Sequence, residues 1–212
     1  MAIFFTHSIN QHTKLGIWKI EEPESFFLSR VPLRNHVTHP YKRLQHLAGR
    51  LLLPELFADF PLEEILIADT RKPFLENEKY HFSISHCGNF AAAVASSENR
   101  VGVDIELVTP RLKGISHKFL TDGERKYLQP WSEMGPLYLQ MLTIVWSSKE
   151  AIFKWYGFGN VDFRAHLVLD GPIVSEPNEW VSVPFVFRKY DPVPLTVRVR
   201  TFDDLVMAYV VT

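Results

Sequence analysis

Apolar positions recur along this chain at two periods. From Pro40 they fall at Tyr41, Leu44, Leu47, Ala48, Leu51 and Leu52, the spacing of one helix face. That helix is predicted to stop near Leu53, before Pro54 or a little beyond it. A second helix is predicted over 143–156, with Gly157 as its C-cap. Thr121 followed by Glu124 is a complete capping box and predicts a helix that also holds Tyr127. Two-residue alternation marks a strand over 81–86, and Gly88-Asn89 reads as the turn after it. Residues 90–96 are apolar enough for a buried strand. Residues 100–107 read as another, with Val101, Val103 and Ile105 on one face and Gly102, Asp104 and Glu106 on the other. Residues 65–68 read as a short strand, and Lys72-Pro73-Phe74 as a turn or extended piece. Residues 26–34 are mixed and poorly periodic. Beyond Gly157, residues 163–169, 181–188, 195–200 and 205–211 are strand-like.

The order is therefore helix, strands, helix, strands. The two long helices start about 100 residues apart, and 90–95 has a counterpart in 206–211, a weak hint of duplication.

Composition narrows the class. A chain of 212 residues is one domain or two small ones fused. Sixteen Phe, seven Tyr and five Trp are too much apolar area to leave solvated, which excludes general disorder. Cys87 is the only cysteine, so a disulfide scaffold is excluded and a reducing compartment fits. No apolar run approaches the roughly 20 residues of a membrane span. The first residues lack the pattern of a signal peptide, so the cytoplasm is the default location. Net charge is −1, which argues against nucleic-acid binding by bulk electrostatics. Arg30, Arg34, Lys42, Arg43 and Arg50 still bias the first quarter toward positive charge. That run is either a solvated face or an anion site.

Three constellations carry candidate chemistry. Asp104 and Glu106, at i and i+2 on one strand, project from the same face. Like charges so close, flanked by apolar residues, are costly unless a cation lies between them, and hard oxygen donors suit Mg²⁺. Two solvated acids on an edge strand are the plain alternative. Glu150 and Lys154 stand one turn apart on a helix whose other positions include Trp146, Ile152, Phe153, Trp155 and Tyr156. On so apolar a helix a Glu and a Lys need partners, and a metal and a phosphate would supply them. An ordinary surface ion pair is the alternative. Ser85-His86 follows a strand, where a lone histidine is more often structural. Cys87 beside it points to the opposite face, which argues against a Cys-His pair. There is no HExxH, Walker loop, GxGxxG or GxSxG. Taken together, these parts resemble the equipment of a pyrophosphate-handling enzyme.

The sequence resembles the Sfp-type 4'-phosphopantetheinyl transferases, the longer group with two similar halves in one polypeptide. The resemblance is carried by Phe82-Ser83-Ile84-Ser85-His86, Val101-Gly102-Val103-Asp104-Ile105-Glu106 and Trp146-Ser147-Ser148-Lys149-Glu150-Ala151-x-x-Lys154. Weaker matches are Arg71-Lys72-Pro73, the helix holding Arg43 and Arg50, and Lys118-Phe119-Leu120-x-x-x-Glu124. Together they span about residues 40–160. The resemblance implies an α+β fold of two pseudo-symmetric halves, each a small, mainly antiparallel sheet packed on a long helix. Residues 1–102 would bind the nucleotide and 3'-phosphate of coenzyme A, and residues 103–212 would hold the metal carboxylates and the catalytic helix.

By the same resemblance, the substrates would be coenzyme A and a serine of an apo acyl or peptidyl carrier protein. Adenosine 3',5'-bisphosphate would be released. Asp104, Glu106 and Glu150 would hold Mg²⁺, or Mn²⁺ in its place. Glu150 would also be the base, directly or through water, and Lys154 would neutralise phosphate charge. Ser85 and His86 would contact the 3'-phosphate side. Arg43, with Arg50 on the same helix, and Lys72 would hold the nucleotide, with Lys72-Pro73 lining the adenine. Arg71 departs from the family, which commonly has Gly there, so the turn is altered or a phosphate contact is added. The region 113–127, with Phe119, Leu120, Lys118 and Arg125, is the candidate docking face for the carrier, against the alternative of an ordinary amphipathic helix. A monomer is expected, with no nucleic-acid or membrane partner. The competing readings are a catalytically silent module that binds coenzyme A or a carrier, and a Mg²⁺-dependent nucleotide pyrophosphatase.

Overall fold

The computed structural model describes residues 3–32, 37–175 and 179–212. Arg34, counted above in the basic bias, lies outside the described residues. The fold is mixed α/β, with antiparallel sheets and several helices. It divides into two compact units: 1–105 with Val211–Thr212, and Glu106–Val210. The division falls three residues beyond the one expected from the resemblance, so Asp104 belongs to the first unit.

The first unit opens not with a helix but with a hairpin of strands β1 (Ile3–Ser8) and β2 (Thr13–Lys19). A short helix α1 (Glu24–Leu28) and the long helix α2 (Pro40–Leu56) follow. Pro40 sits at the first turn of α2, where its missing N–H costs nothing. Pro54 is inside the last turn, so the helix runs a little past the predicted stop. Strands β3 (Leu66–Ile67) and β4 (Pro73–Phe74) make a two-stranded ribbon. Arg71, between them, has φ 67°, the left-handed region where glycine is at ease. Arg71 holds this conformation at a local strain of about 1–2 kcal/mol.

Strands β5 (His81–Cys87) and β6 (Phe90–Ser96) form a hairpin around Gly88, φ 51°, and Asn89. The sheet order is β1-β2-β6-β5, antiparallel throughout. Helix α2 lies on this sheet, and its core side buries Leu47, Ala48, Leu51, Leu52 and Leu53 with Trp18, Phe27 and Phe82. Contact is close at Gly49, where a Cβ would fall 2.5 Å from Ile84 Cγ2 and 3.9 Å from Ala91 Cβ. The alanines of β6 leave room for the helix.

Gly49→Ala therefore tests the packing. Helix propensity alone would stabilise the variant by about 1 kcal/mol, but overpacking typically costs about 1–3 kcal/mol. We expect a net loss of about 1 kcal/mol in urea unfolding; a gain would place the close approach elsewhere.

Strand β7 (Val101–Leu107) contains the boundary between the units, after Ile105. In the first unit, Arg100 and Thr212 exchange both backbone hydrogen bonds at 3.0 Å.

The second unit holds α3 (Arg111–Ile115), α4 (Asp122–Leu128) and α5 (Pro136–Tyr156). The capping box of α4 forms as predicted: Thr121 Oγ1 accepts from Glu124 N at 3.2 Å, and Glu124 Oε2 accepts from Thr121 N at 2.7 Å. Helix α5 starts seven residues before the expected 143 and ends on Gly157, φ 76°. Strands β8 (Leu167–Leu169), β9 (Val174–Ser175), β10 (Trp180–Phe187), β11 (Val193–Phe202) and β12 (Leu205–Val211) follow. Their order is β12-β11-β10-β8, with β9 also on β10. Residues 163–166 are not strand, because Asp162 caps a turn there by accepting from Arg164 N and Ala165 N, both at 2.8 Å. The apolar side of α5 packs with Val183, Phe185, Val197 and Val199 of this sheet. Among the described residues no helix is long and apolar enough to cross a membrane.

Candidate functional site

In the first unit, β5 sorts its side chains by alternation. Ile84 meets α2 at Gly49, so Phe82, Ile84 and His86 share the face toward that helix. Ser83 and Ser85 take the other face, against β7. Ser83 Oγ accepts from Val103 N at 3.2 Å, and Ser85 Oγ accepts from Ile105 N at 3.3 Å. Ser85 Oγ also donates to Asp104 Oδ1 at 2.7 Å. Asp104, only 3% exposed, is thus a buried carboxylate held by a hydroxyl. Ser85, expected beside His86 at a phosphate, is engaged with Asp104 on the opposite face.

Helix α2 presents His46 and Arg50 one turn apart. Gln45 Nε2 donates to Gly88 O at 2.8 Å, which fixes this end of the helix over the β5–β6 turn, with Gly49 over Ile84. His46 lies between those two anchor points, alongside His86. Burial, then the charges of Arg50 and His86, push the His46 pKa down to about 4. Arg50 is buried on the same helix. Arg43 is bound differently: it makes a two-pronged pair with Glu24, Nη2 to Oε2 at 2.9 Å, and Nη1 donates to Val37 O at 3.1 Å. The hydrogen bond from Arg43 holds the Glu24 carboxyl below its usual range. Lys72 is half-buried just before Pro73 in β4; burial and the charge of Arg100 lower its pKa to about 8.

In the second unit, Trp146 is the organising residue of α5. Its ring lies between Phe119 and Phe163, at centroid distances of 5.1 and 5.5 Å. So held, its Nε1 donates to Glu106 Oε1 at 3.1 Å. Glu150 follows Trp146 by four residues and Lys154 follows by four more, so all three share one side of α5. Glu150 and Lys154 are half-buried rather than deeply so.

The buried cation of α5 is instead Lys149, with no solvent exposure. Its Nζ donates to Phe119 O and Glu124 Oε1, both at 2.6 Å, and to Phe163 O at 2.9 Å. Glu124 further accepts from Leu169 N at 2.8 Å and from Thr121 Oγ1 at 2.8 Å. Burial lowers the Lys149 pKa, and Glu124 opposes that shift. Sequence reasoning passed over this pair, although Lys149 and Glu124 both stand in the quoted motifs. The signal was a lysine at a core position of an apolar helix, which requires a buried partner.

The docking face needs a correction. Phe119 and Leu120 are fully buried and cannot meet a partner, because they pack under α5 with Leu142 and Ile152. Arg111, Lys113, Lys118 and Lys126 are exposed.

A hydroxyl on Asp104 and an indole N–H on Glu106 orient these carboxylates. Such neutral partners are what metal-ligating carboxylates commonly have behind them, and the oxygen donors suit a hard cation. Among the described residues, no group of three or more His, Cys, Asp or Glu side chains is gathered closely enough to hold a metal.

Residues 100–210 match the model of the 4'-phosphopantetheinyl transferase superfamily. The chain is 33% identical over 132 residues to 4'-phosphopantetheinyl transferase AcpT of Escherichia coli K12, covering 59% of this chain and 64% of that protein. It is 32% identical over 119 residues to AcpT of Salmonella typhi, covering 55% and 60%. It is 30% identical over 116 residues to enterobactin synthase component D of E. coli K12, covering 53% and 54%. The chain thus spans between half and two thirds of the length of these relatives. A buried, anchored strand carboxylate and an acid–lysine helix face within the matched region go with that match, and the chain belongs to the 4'-phosphopantetheinyl transferase superfamily.

Proposed function

We propose that this protein transfers the 4'-phosphopantetheine group of coenzyme A to a serine hydroxyl of an apo acyl or peptidyl carrier protein and releases adenosine 3',5'-bisphosphate. The observation that carries the reading is the Trp146–Glu106 hydrogen bond, which ties a β7 carboxylate to the helix bearing Glu150 and Lys154. Family membership and the names of the relatives support it.

In this reading the carrier serine Oγ attacks the phosphorus that bears the pantetheine. The bond from that phosphorus to the bridging oxygen breaks, and the electron pair leaves with the adenosine bisphosphate. Glu150 takes the serine proton, directly or through water. Lys154, one turn on, neutralises charge on the phosphate oxygens. Asp104, Glu106 and Glu150 would hold Mg²⁺, or Mn²⁺ in its place, by closing on the ion from positions not so gathered among the described residues, and the ion would neutralise pyrophosphate charge. His86, Arg50 and Lys72 receive the 3'-phosphate and nucleotide, with Pro73 against the base. Arg43 joins them only by exchanging its Glu24 partner. Ser85 acts by orienting Asp104. The two sheet-and-helix units are read as the family's pseudo-symmetric halves, working as a monomer in the cytoplasm.

Mass spectrometry of apo carriers from fatty-acid, polyketide and peptide synthesis, each incubated with coenzyme A and Mg²⁺, tests this. At least one carrier should gain phosphopantetheine, and EDTA should prevent the gain. Binding of coenzyme A with no modified carrier would favour the silent module. Cleavage of coenzyme A without any carrier would favour the pyrophosphatase.

A further inference from the structure

Among the described residues, two buried polar atoms on α2 have no hydrogen-bond partner: His46 Nε2 and Gln45 Oε1, the second an acceptor that an anion does not serve. They are neighbours on the helix stretch that faces His86, one turn before Arg50. Once protonated, that ring nitrogen is a donor, and among cationic groups it gains its proton only beside an anion. It suits an acceptor-rich ligand that brings its own negative charge. A phosphomonoester fits, having three acceptor oxygens and a second ionisation near pH 6.

We propose that His46 is a ligand of the phosphomonoester at this stretch of α2 and that it binds as the imidazolium, so that the protein takes up a proton with the nucleotide. The proposal rests on the reading that this unit receives the 3'-phosphate of coenzyme A, and it adds a residue and a pH dependence to that reading. Without an anion the ring is neutral, because burial and the neighbouring positive charges oppose its protonation. A dianion reverses the sign of that field. The ring nitrogen can then gain a proton and donate a charge-assisted hydrogen bond.

Two groups of the proposed nucleotide site have lowered pKa values, His46 at about 4 and Lys72 at about 8; Lys72 is common to wild type and the variant below, so the difference between them reads His46. On α2 the surrounding charges are Lys42, Arg43, which is held by Glu24 of α1, and Arg50. From β5 the facing group is His86, while His81 lies at the far end of the strand. Strand β6 carries no ionisable side chain. On β2, Lys14 lies over the Phe57 ring and Lys19 pairs with Glu21. Glu63 and Glu64 lie beyond the other end of α2, in a short turn of helix. His86, like His39 at the start of α2, is common to both proteins compared below.

The test is calorimetric titration of the intact protein with adenosine 3',5'-bisphosphate at pH 6, 7 and 8, in buffers of different ionisation enthalpy. Wild type and His46→Gln are compared, with adenosine 5'-monophosphate as the probe lacking the 3'-phosphate. Wild type should take up part of a proton that His46→Gln does not. The variant should bind the bisphosphate about tenfold more weakly at pH 6 and nearly as well at pH 8. The monophosphate should not distinguish the two proteins. Thermal melts at pH 7 without ligand should match, since the neutral ring is replaced by a neutral amide. Binding by wild type with the same proton uptake and pH profile in His46→Gln would overturn the role of His46 and leave the nucleotide reading intact. Failure of wild type to bind the bisphosphate at any pH would overturn both.

Discussion

Glu150→Gln should lower phosphopantetheine transfer about 10³-fold or more while leaving the protein folded. Loss of a general base alone typically costs about 10²–10⁴ in rate, and the same substitution removes a charge proposed to hold the metal. The fold should tolerate it. Glu150 is half-buried, and Gln keeps its size and a hydrogen-bonding head group. Asp104→Asn is the companion. The amide oxygen still accepts from Ser85, so the local geometry survives and only the charge is lost. Both variants should melt near wild type, and neither should transfer at a measurable rate in a mass-spectrometric time course. Full activity in either would remove that residue from the reacting site. Activity restored by raised Mg²⁺ in Asp104→Asn alone would separate metal affinity from proton transfer.

Lys149→Met should destabilise the second unit by about 3–5 kcal/mol, the cost of breaking a buried ion pair from one side. The substitution fills the space but leaves the Phe119 and Phe163 carbonyls without their donor. It also strips the cation from Glu124, which stays buried. Trp131, Trp146, Trp155 and Trp180 all lie in this unit, so tryptophan fluorescence during urea unfolding reports on it. The double change Lys149→Met with Glu124→Leu should recover only part of the loss, because Glu124 also serves Thr121 and Leu169 N. A single-variant loss under about 1 kcal/mol would mean that solvent relaxes into the site and the pair is not a keystone.

Most of the paired strands, both long helices and the α4 capping box were legible because each announces itself within a few residues. The opening hairpin was not. Strand β1 alternates half-buried and exposed positions, and its identity depends on β2, which in turn depends on β6, whose alanines lie some 75 residues away. The early start of α5 was missed because 136–142 reads as plain apolar sequence, and only Gly135, φ 44°, followed by Pro136 marks the entry. At the site, the strand acids and the Glu150–Lys154 spacing were readable from local geometry. Partner choice was not. That Ser85 serves Asp104, Arg43 takes Glu24 and Lys149 finds Glu124 are long-range pairings, and sequence distance does not encode which neighbour a side chain meets.

The exchange of backbone hydrogen bonds between Arg100 and Thr212 has a consequence for biogenesis. The first unit is not finished when its first 105 residues have emerged from the ribosome. Its last two residues arrive only after the whole second unit has been synthesised. Closing so long a loop is slow, and until it closes the segment around Arg100 stands as an open strand edge in the nascent protein.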